Sequence, residues 1–199
     1  MVMVSEGAGS FENPEPGSYA AVCNQVIDLG TQEGEYQGNK IKRRQVIIGW
    51  ELTEKNSKGE PFRVSSFYTA SLSEKSKLRP MLESWRGVAL TAEELDGFSL
   101  SKLLGQPCLV SLILNDKGRI KVSSVSKLPK GMPAPANATA IVDFDLEKFD
   151  PIAFGKFSNK LQEMIRKSPE YAKATSGGHE PEPASEHDAQ EPDVEDVGF

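Results

Sequence analysis

Histidine and cysteine are scarce in this chain of 199 residues, which has two of each. Both histidines, His179 and His187, fall in a polar C-terminal stretch. A zinc site, a Ser-His-Asp triad or a Cys-His pair is therefore hard to build in the rest of the chain. Neither GxxxxGK[ST] nor GxGxxG occurs, so a phosphate-binding loop has no support. No carboxylate pair stands out, and we predict that the chain is not an enzyme and holds no metal or cofactor.

Long apolar runs are also absent. No stretch approaches the roughly 18–20 residues of a membrane span. The first six residues have neither the basic start nor the apolar core of a signal peptide, so we expect a cytoplasmic protein that does not bind membranes. Cys23 and Cys108 lie in apolar segments without CxxC spacing. They are predicted to be reduced and buried.

Charge is distributed unevenly along the chain. Eight acidic residues and one lysine fall between Ala172 and Phe199, which gives this stretch −7, whereas the whole chain carries −6. Residues 1–171 therefore carry +1. Within them, the segment from Tyr36 to Arg86 has eleven basic and five acidic side chains, a net charge of +6. Residues 172–199 are too polar to bury a core and are predicted to be a disordered tail.

Residue type and periodicity predict five strands and one clear helix. The apolar residues from Val46 to Leu52 alternate with other residues, which is typical of a strand with one buried face. Spacings of three and four between Leu78 and Trp85 predict an amphipathic helix that follows Ser73 as N-cap and ends at Gly87. Trp50 and Trp85 share these apolar faces and are predicted to be core residues. The predicted strands are residues 18–29, 41–52, 61–70, 108–114 and 119–125, with a loop at 31–39 and further helical segments at 92–104 and 151–168.

The order of these elements indicates a fold class. Five strands with a helix between the third and fourth are the arrangement of the OB-fold, a mainly β barrel whose open face binds oligonucleotides. An immunoglobulin-like sandwich would need about seven strands and no central helix. We therefore predict an OB-fold barrel. The predicted parts are a flexible arm at 1–16, an OB-fold domain at 17–128, a linker at 129–140, a helical extension at 141–171 and the acidic tail at 172–199.

Basic and aromatic side chains are interleaved on the second and third predicted strands. This combination suits a single strand of any sequence, because cations contact phosphates and rings stack on bases at roughly 1–3 kcal/mol each. Phe67 has polar neighbours on its strand face and is predicted to stack on bases, with packing under a loop as the alternative. For the run Lys42–Arg44, the alternative to phosphate contact is a solvated strand. The predicted nucleic-acid-binding residues are Tyr36, Lys40, Lys42, Arg43, Arg44, Arg63, Phe67, Tyr68, Lys75, Lys77 and Arg79.

Two segments carry a resemblance to a known family. The run Phe67–Gly87, FYTASLSEKSKLRPMLESWRG, together with Leu104–Cys108, LGQPC, resembles bacteriophage single-stranded DNA-binding proteins with an OB-fold, of the Enterobacter phage Enc34 type. The resemblance covers Gly17 to Gly131 and the acidic tail. It implies an accessory protein of phage DNA replication or recombination that coats and protects single strands in the host cytoplasm.

The end of the tail is predicted to bind partner proteins. Its acidic residues and final aromatic are also found at the ends of bacterial and phage single-strand binders, which recruit replication or recombination proteins in this way. The cellular pattern has a proline before the final phenylalanine, where this chain has Gly198. A phage-encoded partner is therefore as plausible as a host enzyme. The predicted partner-binding residues are Asp193, Glu195, Asp196, Val197 and Phe199.

A second class of function fits the same composition. The chain would then be a protein-interaction module or inhibitor whose acidic tail mimics DNA and whose body never binds nucleic acid. The local charge of +6 between Tyr36 and Arg86 argues against this alternative.

Overall fold

A computed structural model describes residues 12–36 and 38–176. The described residues are mainly β, with helices after the third strand and after the sixth. The strands are β1 Gly17–Tyr36, β2 Asn39–Lys55, β3 Pro61–Thr69, β4 Pro107–Leu114, β5 Ile120–Ser126 and β6 Val142–Phe144. The α-helices are α1 Leu78–Arg86, α2 Ala92–Asp96, α3 Pro151–Gly155, α4 Asn159–Arg166 and α5 Pro169–Ser176, and short 3-10 helices lie at Leu100–Leu103 and Leu146–Lys148.

The strands form one sheet in the order β3-β2-β1-β4-β5, antiparallel throughout, and β6 adds to β1 in parallel. β1 is long enough to pair with three strands: Gly17–Val22 pairs with β4, Ala21–Tyr36 with β2 and Gln25–Ile27 with β6. Register shifts after Cys23 and Asp28 allow the strand to bend. No hydrogen-bonded ladder joins β3 to β5 within the described ranges, so the sheet is open. The prediction of a mainly β fold with a helix between the third and fourth strands is confirmed, and pairing does not close a barrel.

The prediction of a loop between the first two strands is wrong. β1 and β2 continue as one long hairpin, in which Thr31 pairs with Arg44 and Glu35 with Lys40. Glu33 lies opposite Lys42, and their side chains form an ion pair at 2.9 Å. Opposite charges across an antiparallel pair stabilise it modestly, and the backbone pairing continues through the glycines of this segment despite their weak strand preference.

Helix α1 begins later than its predicted N-cap. Lys77, not Ser73, immediately precedes it and makes no capping hydrogen bond with its side chain, while the Ser76 hydroxyl accepts from the backbone N–H of Leu78 at 3.2 Å and donates to the carbonyl of Ser71. Gly87 ends the helix at a φ of 72°, as predicted. The other two predicted helical segments are each broken into two, since α2 ends at Asp96 before the 3-10 helix that starts at Leu100, and a new cap at Ser158 starts α4.

The main core fills one face of the sheet, and we call this the inner face. Val46, Ile48, Trp50 and Leu52 are all buried there, as their alternation predicts, and α1 packs onto them. The rings of Trp50 and Trp85 are 6.0 Å apart between centroids. Cys23 and Cys108 are also buried in this core without a disulfide, and burial raises the pKa of both thiols.

A second apolar cluster lies on the opposite face of the sheet, which we call the outer face. Ile27, Leu29 and Ile47 from β1 and β2 pack there against residues 141–176, which we call the C-terminal extension. The extension contributes a group of buried apolar residues: Phe144, Leu146, Phe154, Leu161 and Ile165. Ile47, an apolar residue that follows the polar Arg43 and Gln45 on this face of β2, is therefore a contact for this extension.

Glu51 holds the segment that leads into the extension. Glu51 is 2 % exposed, and its carboxylate accepts from the backbone N–H of Ala138 at 2.5 Å and of Thr139 at 3.1 Å. The Thr139 hydroxyl also donates to it. Because charge-assisted hydrogen bonds from backbone donors are strong, this contact fastens the end of the predicted linker to β2.

Gly30 lets the end of the extension approach β1 closely. Its φ of +68° favours glycine, and a Cβ atom there would lie 2.5 Å from the Cβ of Ser168. Next to it, Glu170 accepts from the backbone N–H of Thr31 at 2.7 Å and from its hydroxyl at 2.6 Å. The start of α5 is thus fixed to the middle of β1.

Candidate nucleic-acid interface

A cleft of about 1180 Å³ opens between the β1–β2 hairpin, β3, α1 and β5, and we call it the main cleft. Two consecutive aromatic residues of β3, Phe67 and Tyr68, line it. Consecutive side chains of a strand project to opposite faces, so Tyr68 packs against the main core and Phe67 against the second cluster. Both rings are half-buried, and both contribute surface to the cleft.

Four basic side chains converge on this cleft from four elements. Arg43 comes from β2, Lys77 from the start of α1, Lys121 from β5 and Lys167 from the end of α4. Two acidic residues, Glu33 and Glu35, also line it, so the described lining carries +2. A hydrogen bond from Lys42 lowers the pKa of Glu33, which keeps that carboxylate charged and paired. The cleft combines cationic groups with aromatic surface, as a site for single-stranded nucleic acid requires.

The structure brings only part of the predicted binding set to the main cleft. Arg43, Phe67, Tyr68 and Lys77 line it. Lys40 and Lys42 lie exposed on the β1–β2 hairpin, and Lys75 is exposed in the loop before α1. Arg79 is in an ion pair with Glu83 at 3.3 Å, and Arg63 lines a second, smaller cleft. The side chain of Tyr36 lies outside the part of the chain that the structure describes.

Arg44 is predicted to contact phosphate, but in the structure it forms ion pairs with two acidic side chains. Its guanidinium lies 2.7 Å from a carboxylate oxygen of the buried Asp28 and 3.2 Å from one of Glu147. The hydrogen bond to Asp28 is the main cause that raises the pKa of Arg44. Arg44 therefore connects β1 and β2 to the extension, and we leave it out of the candidate site.

Two bases of the main cleft, Lys121 and Lys167, are not identified by the sequence pattern. The basic region that the charge count indicates ends at Arg86. Lys121 could have been predicted from the strand order, because an OB-fold brings its fifth strand near its third. Lys167 reaches the cleft only because the extension packs on the outer face, which no local pattern specifies.

The predicted partner-binding residues Asp193, Glu195, Asp196, Val197 and Phe199 lie outside the described residues. Within residues 12–36 and 38–176, the structure contains no helix long and apolar enough to cross a membrane. The same ranges hold no group of three or more His, Cys, Asp or Glu side chains that is arranged for a metal ion. No family model matches this chain, and a search of curated proteins finds no match either.

Proposed function

We propose that this chain is a single-stranded DNA-binding protein built on an OB-fold. The sheet order β3-β2-β1-β4-β5, with a helix between β3 and β4, is the arrangement expected of that fold. The two end strands, β3 and β5, also approach within 8 Å between Cα atoms. This approach supports a barrel that is nearly closed at the main cleft.

The main cleft is the observation that carries the proposal. OB-folds bind oligonucleotides on the face of strands 2 and 3 and at the loops between strands 1 and 2 and strands 4 and 5. The cleft lies against β2, β3 and the β1–β2 hairpin, and β5 forms its far side. Phe67 and Tyr68 offer rings for stacking, while the four surrounding bases offer charge for phosphates.

The proposed mode of binding is independent of sequence. Every base has an aromatic face, so stacking on Phe67 or Tyr68 tolerates any nucleotide. Lysine and arginine contacts to phosphates carry no sequence information either, and they make the affinity sensitive to salt. In the cell, we propose that the protein coats and protects single strands during phage replication or recombination. Its acidic tail would recruit partner proteins.

Reversing two charges of the main cleft tests this assignment. We expect Lys77→Glu/Lys121→Glu to weaken binding of fluorescently labelled oligo(dT) at least about tenfold, because two cations that bind phosphates are replaced by anions that repel them. Fluorescence anisotropy measures the affinity. The matched control is Lys58→Glu/Lys130→Glu, which makes the same charge change at exposed lysines outside the cleft lining. Equal affinities of the two double variants would contradict the site.

A further inference from the structure

A second cleft of about 520 Å³ lies beside the main cleft, between β3, β5 and the C-terminal extension. Its lining includes two basic side chains, Arg63 of β3 and Lys156 before α4, together with the ring of Phe157. Of the described residues that line it, none is aspartate or glutamate, so the lining carries +2. A small cleft with this charge and an aromatic edge has the same chemical character as the main cleft.

The two clefts are consecutive along β3. Ser65 of β3 and Val122 of β5 line both of them. Outer-face residues of β3 follow in order, since Phe67 and Thr69 line the main cleft and Arg63 lines the second. From Arg63 to Thr69 the strand extends about 20 Å, a length that several nucleotides of a single strand can follow.

Helix α4 forms a wall beside this path. Leu161 of α4 lines the second cleft, Met164 lines the main cleft, and Lys167 follows the end of the helix. Residues three positions apart lie on one face of a helix, so the side of α4 that carries Leu161 and Met164 faces both clefts. Leu161 and Ile165 also anchor the helix to the outer face of the sheet.

We propose that single-stranded DNA runs through both clefts, between α4 and the edge where β3 approaches β5. The C-terminal extension is therefore part of the binding site. This inference rests on the proposed function. The extension covers the middle of the outer face through Ile27 and Ile47, so a strand cannot lie flat across β1 and β2. A strand that enters the main cleft instead continues along β3, where Arg63 and Lys156 meet its phosphates.

The two bases that the extension contributes to the clefts, Lys156 and Lys167, provide the test. We expect Lys156→Glu/Lys167→Glu in the full chain to weaken oligo(dT) binding roughly tenfold and to lower the slope of log Kd against log salt by about 0.7 for each phosphate no longer neutralised. Lys148→Glu, a single charge reversal at an exposed lysine of the extension that lines neither cleft, is the control. Lys167 follows the C-terminal end of α4, where a negative charge is unfavourable for the helix. Lys156→Ala/Lys167→Ala, which adds no negative charge, is therefore measured as well. Thermal unfolding verifies that each variant is folded.

The outcomes separate this inference from the function on which it rests. If both Lys156/Lys167 double variants bind like wild type while Lys77→Glu/Lys121→Glu does not, the extension is not part of the site and the main cleft stands alone. If wild-type protein does not bind oligo(dT), the proposed function and this inference both fail. Loss of affinity in both extension variants, with Lys148→Glu unchanged, supports the path along α4.

Discussion

Replacing Arg44 by alanine is expected to lower the free energy of unfolding by about 3 kcal/mol, because it leaves a buried carboxylate without its charged partner. Asp28 is that carboxylate, and it also accepts a hydrogen bond from the backbone N–H of Gly30 at 2.9 Å. Because the side chain of Arg44 is 37 % exposed, we expect a loss of stability near the lower end of the range for buried ion pairs. Urea denaturation monitored by tryptophan fluorescence measures this change.

Lys42→Ala is the matched control for Arg44. Lys42 also forms an ion pair, with Glu33, but both side chains are well exposed, at 67 % and 72 %. An exposed pair contributes little, so this variant is expected to change the free energy of unfolding by no more than about 0.5 kcal/mol. If Arg44→Ala unfolds like wild type but binds oligo(dT) much more weakly, Arg44 contacts DNA and the structural assignment is wrong.

Glu51→Ala has a similarly large expected effect. The substitution removes the acceptor for two backbone N–H groups and a hydroxyl, and we expect it to lower the free energy of unfolding by about 3 kcal/mol. Hydrogen exchange is expected to rise at Ala138 and Thr139, whose amides lose their partner. Denaturation and exchange measured by mass spectrometry test both parts of this expectation.

Glu54→Ala provides the comparison on the same strand. Glu54 is exposed on β2, so its removal is expected to have an effect within about 0.5 kcal/mol. Glu51→Gln keeps one acceptor oxygen, so its free energy of unfolding is expected to lie between those of Glu51→Ala and Glu54→Ala. If the Glu51 and Glu54 alanine variants have the same stability and exchange, Glu51 does not fasten the linker segment to β2.

The inner face of the sheet is predictable because its signal is local. Alternation from Val46 to Leu52 identifies the buried side of β2, and the spacing from Leu78 to Trp85 identifies the buried side of α1. The position of Gly87 identifies the end of that helix. The β1–β2 hairpin is not predictable in this way, because Gly34 and Gly38 weaken the strand pattern while the pairing that stabilises it lies across the hairpin.

The outer face depends on contacts between residues far apart in sequence. An apolar stripe on a helix shows that one side is buried, and it does not show which surface covers it. Arg44 stands in a run of three bases, and its contacts with Asp28 and with Glu147, 103 residues away, distinguish it from its neighbours. The same separation explains why the sequence predicts Arg43 and Lys77 for the candidate site but does not predict Lys121 and Lys167.

Binding of the full chain to labelled oligo(dT), followed by anisotropy at about 50 mM and about 200 mM salt, tests single-strand binding most directly. We expect saturable binding that weakens at the higher salt, with a slope of log Kd against log salt of about 0.7 for each phosphate contacted, or about 3 for the four bases of the main cleft. An oligonucleotide of mixed sequence is expected to bind with similar affinity. No binding at the lower salt, or an affinity that does not change with salt, would contradict the proposed function.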